Sequence, residues 1–88
     1  MLKIKEAETS SVNVFPNPTT GKFSVFSSQF SVERIEIFDV YGRKQKAESR
    51  KQKAEGNIEM DISNLQSGIY FIKITTETEI IVKKIIKN

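Results

Sequence analysis

Leu65-Gln66-Ser67-Gly68-Ile69-Tyr70-Phe71-Ile72-Lys73-Ile74 is the stretch on which the reading of this chain turns. Asn64 and the Ser67-Gly68 pair favour a turn, and the run that follows is rich in β-branched and aromatic residues, the composition of a strand. It predicts the central strand of a sheet. Side chains alternate across a strand, so Tyr70, Ile72 and Ile74 point one way and Ile69 and Phe71 the other. Both faces near its start then call for cover, which a second sheet packed on the first supplies.

Composition narrows the class further. A chain of 88 residues is one domain, large enough to bury about 60–70% of the surface that it exposes unfolded, and so to form one core. It contains no cysteine, histidine or tryptophan. Without His and Cys it lacks the commonest general base, the commonest metal ligand and the best nucleophile, so no enzymatic activity, cofactor or metal is expected. The net charge of +3 is concentrated. Residues 43 to 55 hold six basic side chains against two acids, which leaves the rest of the chain at −1. No window approaches the ~18 consecutive apolar residues of a membrane-spanning helix. The opening Met1-Leu2-Lys3-Ile4-Lys5-Glu6 has no apolar core of an export signal either.

Working outward, residues 1–11 are charged and aperiodic and read as a linker or tail, with the folded domain over 12–88. Val12, Val14 and Phe15 form a short strand that Pro16 ends, because proline cannot donate to a ladder. Pro16-Asn17-Pro18-Thr19-Thr20-Gly21 is a rigid turn, and Lys22 to Phe26 resumes as a strand with Phe23 and Val25 inward, which completes a hairpin. Ser27-Ser28-Gln29 reads as a polar connection. Arg34-Ile35-Glu36-Ile37-Phe38 alternates in the half-buried pattern, with Ile35 and Ile37 inward and Glu36 solvated. Asp39-Val40-Tyr41-Gly42 closes a tight turn, which Arg43-Lys44-Gln45-Lys46-Ala47 leaves as an exposed strand. Ile58 to Ile62 alternates again. Leu65 and Tyr70 have the spacing of the corner in immunoglobulin-like sandwiches, where a tyrosine hydroxyl bonds upstream backbone; Tyr70 as plain core filler fits equally. Glu79 to Lys87 is the last strand, its alternation slipping at Lys83-Lys84 as a β-bulge would allow. The sum is an all-β, immunoglobulin-like antiparallel β-sandwich of about seven short strands.

Arg43-Lys44-Gln45-Lys46-Ala47-Glu48-Ser49 is followed at once by Arg50-Lys51-Gln52-Lys53-Ala54-Glu55-Gly56. Alanine alone cannot build a coiled-coil seam, and no aromatic is interleaved for base stacking. A solvated, duplicated hairpin loop is the expectation, with no nucleic-acid partner; a helical excursion suits the same residues. No carboxylate cluster has calcium-loop spacing, and Ser63 lacks a base at a useful spacing.

Four motifs in order carry a resemblance: Val14-Phe15-Pro16-Asn17-Pro18-Thr19-Thr20-Gly21, Ile35 to Arg43, Ile62 to Tyr70, and Val82-Lys83-Lys84-Ile85-Ile86. Over residues 12 to 87 the chain resembles the C-terminal sorting domain, type A, of the type IX secretion system. The resemblance implies a secretion signal domain that directs an attached cargo across the outer membrane to the medium or cell surface. It also implies removal after translocation by a sortase-like cysteine protease, and a signal peptide and N-terminal cargo domain ahead of this segment. Carried over to this sequence, Pro16, Asn17, Pro18, Gly21, Leu65, Gly68 and Tyr70 are structural, while Lys83, Lys84, Ile85, Ile86, Asp39 and Gly42 are the recognition set. Recognition by strand addition at the last strand, or a homodimer through an edge strand, would suit such a signal. The alternative is an immunoglobulin-like adhesion or carbohydrate-binding module using exposed aromatics such as Phe38 or Tyr41.

Overall fold

The computed structural model describes the backbone of residues 3–6 and 12–88 and the side chains of 12–27, 32–47 and 57–88. Six strands follow in chain order: β1 (Lys3–Glu6), β2 (Val12–Phe15), β3 (Lys22–Phe38), β4 (Lys44–Asp61), β5 (Gly68–Thr76) and β6 (Glu79–Lys87). β3 and β4 form one long antiparallel hairpin whose register shifts between Ser27 and Val32 and again before Arg34. Each therefore serves two layers. In the first, residues 22–27 of β3 lie between β2 and residues 56–61 of β4. In the second, the order runs β1, β6, β5, then residues 32–38 of β3 and 44–49 of β4. Counting the halves of β3 and β4 separately, the antiparallel segments number seven, and the all-β sandwich expected from the sequence is what forms.

One core joins the layers. Val12, Phe23, Val25, Ile58 and Met60 enter it from the first, and Ile35, Ile37, Tyr70, Ile72, Ile74, Ile81 and Ile85 from the second, all buried. The alternation that predicted Phe23, Val25, Ile35 and Ile37 as inward holds. The 12–15 and 22–26 hairpin also forms in antiparallel register.

Several local expectations change. β5 is interior, between β3 and β6, but only one of its faces is buried. Ile69 and Phe71 stay 41% and 37% exposed, because the first layer covers only the Tyr70-Ile72-Ile74 side. Residues 27–29, read as a connection, continue β3. Residues 43–47, expected as an exposed strand, form one from Lys44 on, and the rest of the duplicated basic segment, read as a loop or helix, is strand backbone too, within β4; the side chains of 48–56 lie outside the described residues. Within 1–11, Lys3–Glu6 pairs in parallel with residues 79–82 of β6. The β5/β6 register runs unbroken from Gly68↔Lys87 to Thr75↔Ile80, so there is no bulge at Lys83. Lys83 instead keeps phase on the core side between Ile81 and Ile85. Glu36, expected in water, is only 7% exposed.

Candidate functional site

The proline turn and the last strand build one structure. Asn17 stands between two prolines that cannot donate hydrogen bonds, and its side-chain amide faces the outer edge of β6. Its Nδ2 donates to the Lys84 carbonyl and its Oδ1 accepts from the Ile86 amide, each at 2.9 Å. Two residues on, the Thr19 amide donates to the Ile86 carbonyl and the Asn88 amide to the Thr19 carbonyl, both at 2.8 Å. Thr19 thus bridges Lys87 in parallel, continuing along the edge that β1 occupies at 79–82. The outer edge of β6 is closed at both ends. Thr19, 1% exposed, also holds its own turn, donating from Oγ1 to the Lys22 carbonyl at 2.6 Å and accepting from the Gly21 amide at 3.0 Å. Gly21 is needed for space: a Cβ there would come within 2.5 Å of Ser63 Oγ, where the Ile62 amide donates to the Gly21 carbonyl.

The corner forms as the hydroxyl-bonded alternative. Tyr70 is buried and its hydroxyl donates to the Gln66 carbonyl at 2.6 Å. Lys87, core-side on β6, reaches back and donates from Nζ to the Leu65 carbonyl at 2.7 Å, so the last strand is tied to the corner as well as to the proline turn. Leu65 packs on the core, and Gly68 opens β5 at φ +154°.

The Asp39–Gly42 turn is organised by one carboxylate. Oδ1 accepts from the Tyr41 and Arg43 amides at 2.9 Å, and Oδ2 accepts from Arg43 Nε at 2.7 Å and Gln45 Nε2 at 3.2 Å. Gly42, at φ +81°, takes the left-handed conformation that favours glycine. Loss of hydration would by itself raise the Asp39 pKa, but the Arg43 and Tyr41 hydrogen bonds outweigh it and hold the carboxyl below its usual range. Between this turn and the Leu65–Tyr70 corner lies an open cleft of about 490 Å³.

Of the expected recognition set, Lys84 is exposed and Ile86 half-buried on the outer face of β6, whereas Ile85 is fully buried and Lys83 faces the core side. Loss of water around Lys83 lowers its ammonium pKa. The structure brings the Pro16–Gly21 turn, the corner and β6 into one bonded unit and leaves the Asp39–Gly42 turn across the cleft. Sequence reasoning missed Thr19, Lys87 and Glu36. Asn between two prolines, opposite a terminal strand, was the available signal for the edge closure. Glu36 sits on the outer face of the second layer, 2.8 Å from Lys44 Nζ and 3.4 Å from Arg34 Nε. The Lys44 hydrogen bond is the chief cause that lowers its pKa. Among the described residues no group of three or more acidic side chains could hold a metal ion. Phe38 and Tyr41 are not packed away; Tyr41 is 80% exposed.

A small two-layer β-sandwich, with its distinctive residues in turns and in a closing strand, is the class that this fold and site define. The chain belongs to the family of secretion system C-terminal sorting domains, which matches it over residues 13–88. A domain of this family is a C-terminal sorting signal of the type IX secretion system, not a catalyst, and it directs the protein that carries it through the outer membrane to the medium or cell surface. The chain is also 29% identical over 89 residues to the ulvan lyase NLR42 of Nonlabens ulvanivorans. That match takes in 99% of this chain and 16% of the lyase, so the chain spans a small part of the relative's length.

Proposed function

We propose that the export machinery reads this domain in its folded form, through the side chains of the closing strand and the Asp39–Gly42 turn. In the recognition set Lys84 and Ile86 are the outward contacts on β6, Lys83 and Ile85 hold the strand from the core side, and Asp39 and Gly42 fix the second contact. The observation that carries this reading is the closed edge of β6. Backbone groups at Lys84, Ile86 and Asn88 are already bonded to Asn17 and Thr19, so strand addition there would first have to displace them. Side-chain recognition does not. A homodimer joined edge to edge would leave β6 out for the same reason.

In this reading residues 12–88 are the sorting domain and 1–11 the linker to an N-terminal cargo, with removal by the system's sortase-like cysteine protease after translocation. The lyase relative suggests an exported polysaccharide-degrading enzyme as the kind of cargo. The test is to fuse residues 1–88 behind an exported reporter in a host with the type IX system. Surface display should fall to background when residues 80–88 are deleted. Full display of the truncated fusion would refute the role of the closing strand.

A further inference from the structure

Among the described residues, four of the five large apolar side chains that remain exposed lie near one another at one end of the second layer: Val40 (55%), Tyr41 (80%), Ile69 (41%) and Phe71 (37%). Three of them line the same open cleft, and Phe71 lies directly opposite Phe38 across β3 and β5. The register continues that row on both sides. Lys44 lies opposite Phe38 on β4 and Lys84 opposite Phe71 on β6, so cation, aromatic, aromatic and cation stand in line on the outer face. Lys44 Nζ is 6.0 Å from the Phe38 ring centre, and Arg43 Cζ lies 5.3 Å over Tyr41. Five cations frame the region (Arg34, Arg43, Lys44, Lys73, Lys84) against the carboxylates of Glu36 and Asp39, a surplus of three positive charges.

We propose that this face docks on an anionic lipid surface, with Val40, Tyr41, Ile69 and Phe71 entering the headgroup boundary and the lysines meeting anionic headgroups. Clustered exposed apolar side chains mark a contact site. The charge surplus sets its partner, because a second copy would bring like charges together. A soluble polyanion would use the cations but gain nothing from Val40 at a turn tip. A lipid boundary uses both, with tyrosine's amphipathic ring suited to the interface and basic side chains to the headgroups.

Flotation of the 88-residue chain with vesicles tests this. Binding is expected to vesicles of phosphatidylcholine containing phosphatidylglycerol at ~0.01 M salt, and it should weaken as added salt shortens the screening length from about 30 Å to about 3 Å at 1 M. Lys73→Gln with Lys84→Gln should reduce affinity roughly 30-fold, from about 1 kcal/mol per basic side chain. Val40→Ser with Tyr41→Ser should reduce it at least tenfold at unchanged charge. All are surface changes, and melting curves matching the parent establish that the variants are folded. No retention on anionic vesicles overturns the proposal. So does retention that the serine pair leaves intact while the glutamine pair abolishes it, since that marks a polyanion site without lipid contact.

Discussion

The two faces of β5 come from one mostly apolar stretch, Ile69 to Ile74, and do different work. Tyr70, Ile72 and Ile74 are buried against the first layer, with Tyr70 bonded to Gln66, whereas Ile69 and Phe71 on the alternate face remain partly in water. The same split runs through β6, where Ile81 and Ile85 are fully buried and Lys84 is exposed. The inward rows hold the fold, and the outward rows are what anything outside the domain can touch. Stability and recognition should therefore separate by residue parity along a single strand.

The largest expected break in that separation is at the corner. Tyr70→Ala should cost about 3–5 kcal/mol, as truncation of a buried aromatic does, against a total stability of ~5–15 kcal/mol. Tyr70→Phe keeps the ring and loses only the hydroxyl bond, for about 1 kcal/mol. Denaturant melts measure both, and equal losses would mean that ring packing contributes nothing. Asn17→Ala should cost about 0.5–1.5 kcal/mol, since Lys84 and Ile86 lose their partner but gain water. Its sharper signature is faster hydrogen exchange at the Ile86 amide; unchanged exchange would mean that Asn17 does not close the edge. At the far end of the scale, Phe71→Ser on the outward face should shift stability by no more than ~1 kcal/mol, and a loss like that of Tyr70→Ala would erase the difference between the faces.

Acid adds a direction without a large magnitude. The Asp39 and Asp61 carboxyls are held below their usual range, Asp39 against its own lost hydration by the Arg43 and Tyr41 bonds, Asp61 mainly by the Ser63 hydroxyl and amide. Carboxylates lowered in the folded state contribute stability that is full above their unfolded pKa of about 3.9 and is lost as pH falls through the folded value. Asp39→Asn should accordingly flatten the acid limb of the stability curve below about pH 4. An acid limb as steep as the parent's would mean that the turn carboxylate is not the linked group.

Much of this was legible in the residues. The Phe23/Val25 and Ile35/Ile37 alternation, the Asp39–Gly42 turn and the spacing of Leu65 and Tyr70 each encode a local geometry, and local geometry is what alternation and turn chemistry report. The two-sided burial of β5 was misread because an apolar run looks the same whether both faces are covered or one is left for a partner. The slip at Lys83-Lys84 was misread because a lysine can keep phase on the core side by extending its stem along apolar surface. Beyond residues 43–47 the duplicated basic segment carries no strand signal of its own, and its pairing with β3 decides its conformation. The closure of β6 by Asn17 joins residues 67 positions apart, a distance that no local pattern spans.

Everything proposed for export rests on the folded domain being read from the outward side of β6. Lys84→Glu with Ile86→Ser, in the reporter fusion of residues 1–88, separates reading from folding when display and melting are measured on the same protein. Display should fall to background with a melt within ~1 kcal/mol of the parent. Full display from that folded double variant would mean that the outward side of β6 is not what the machinery reads.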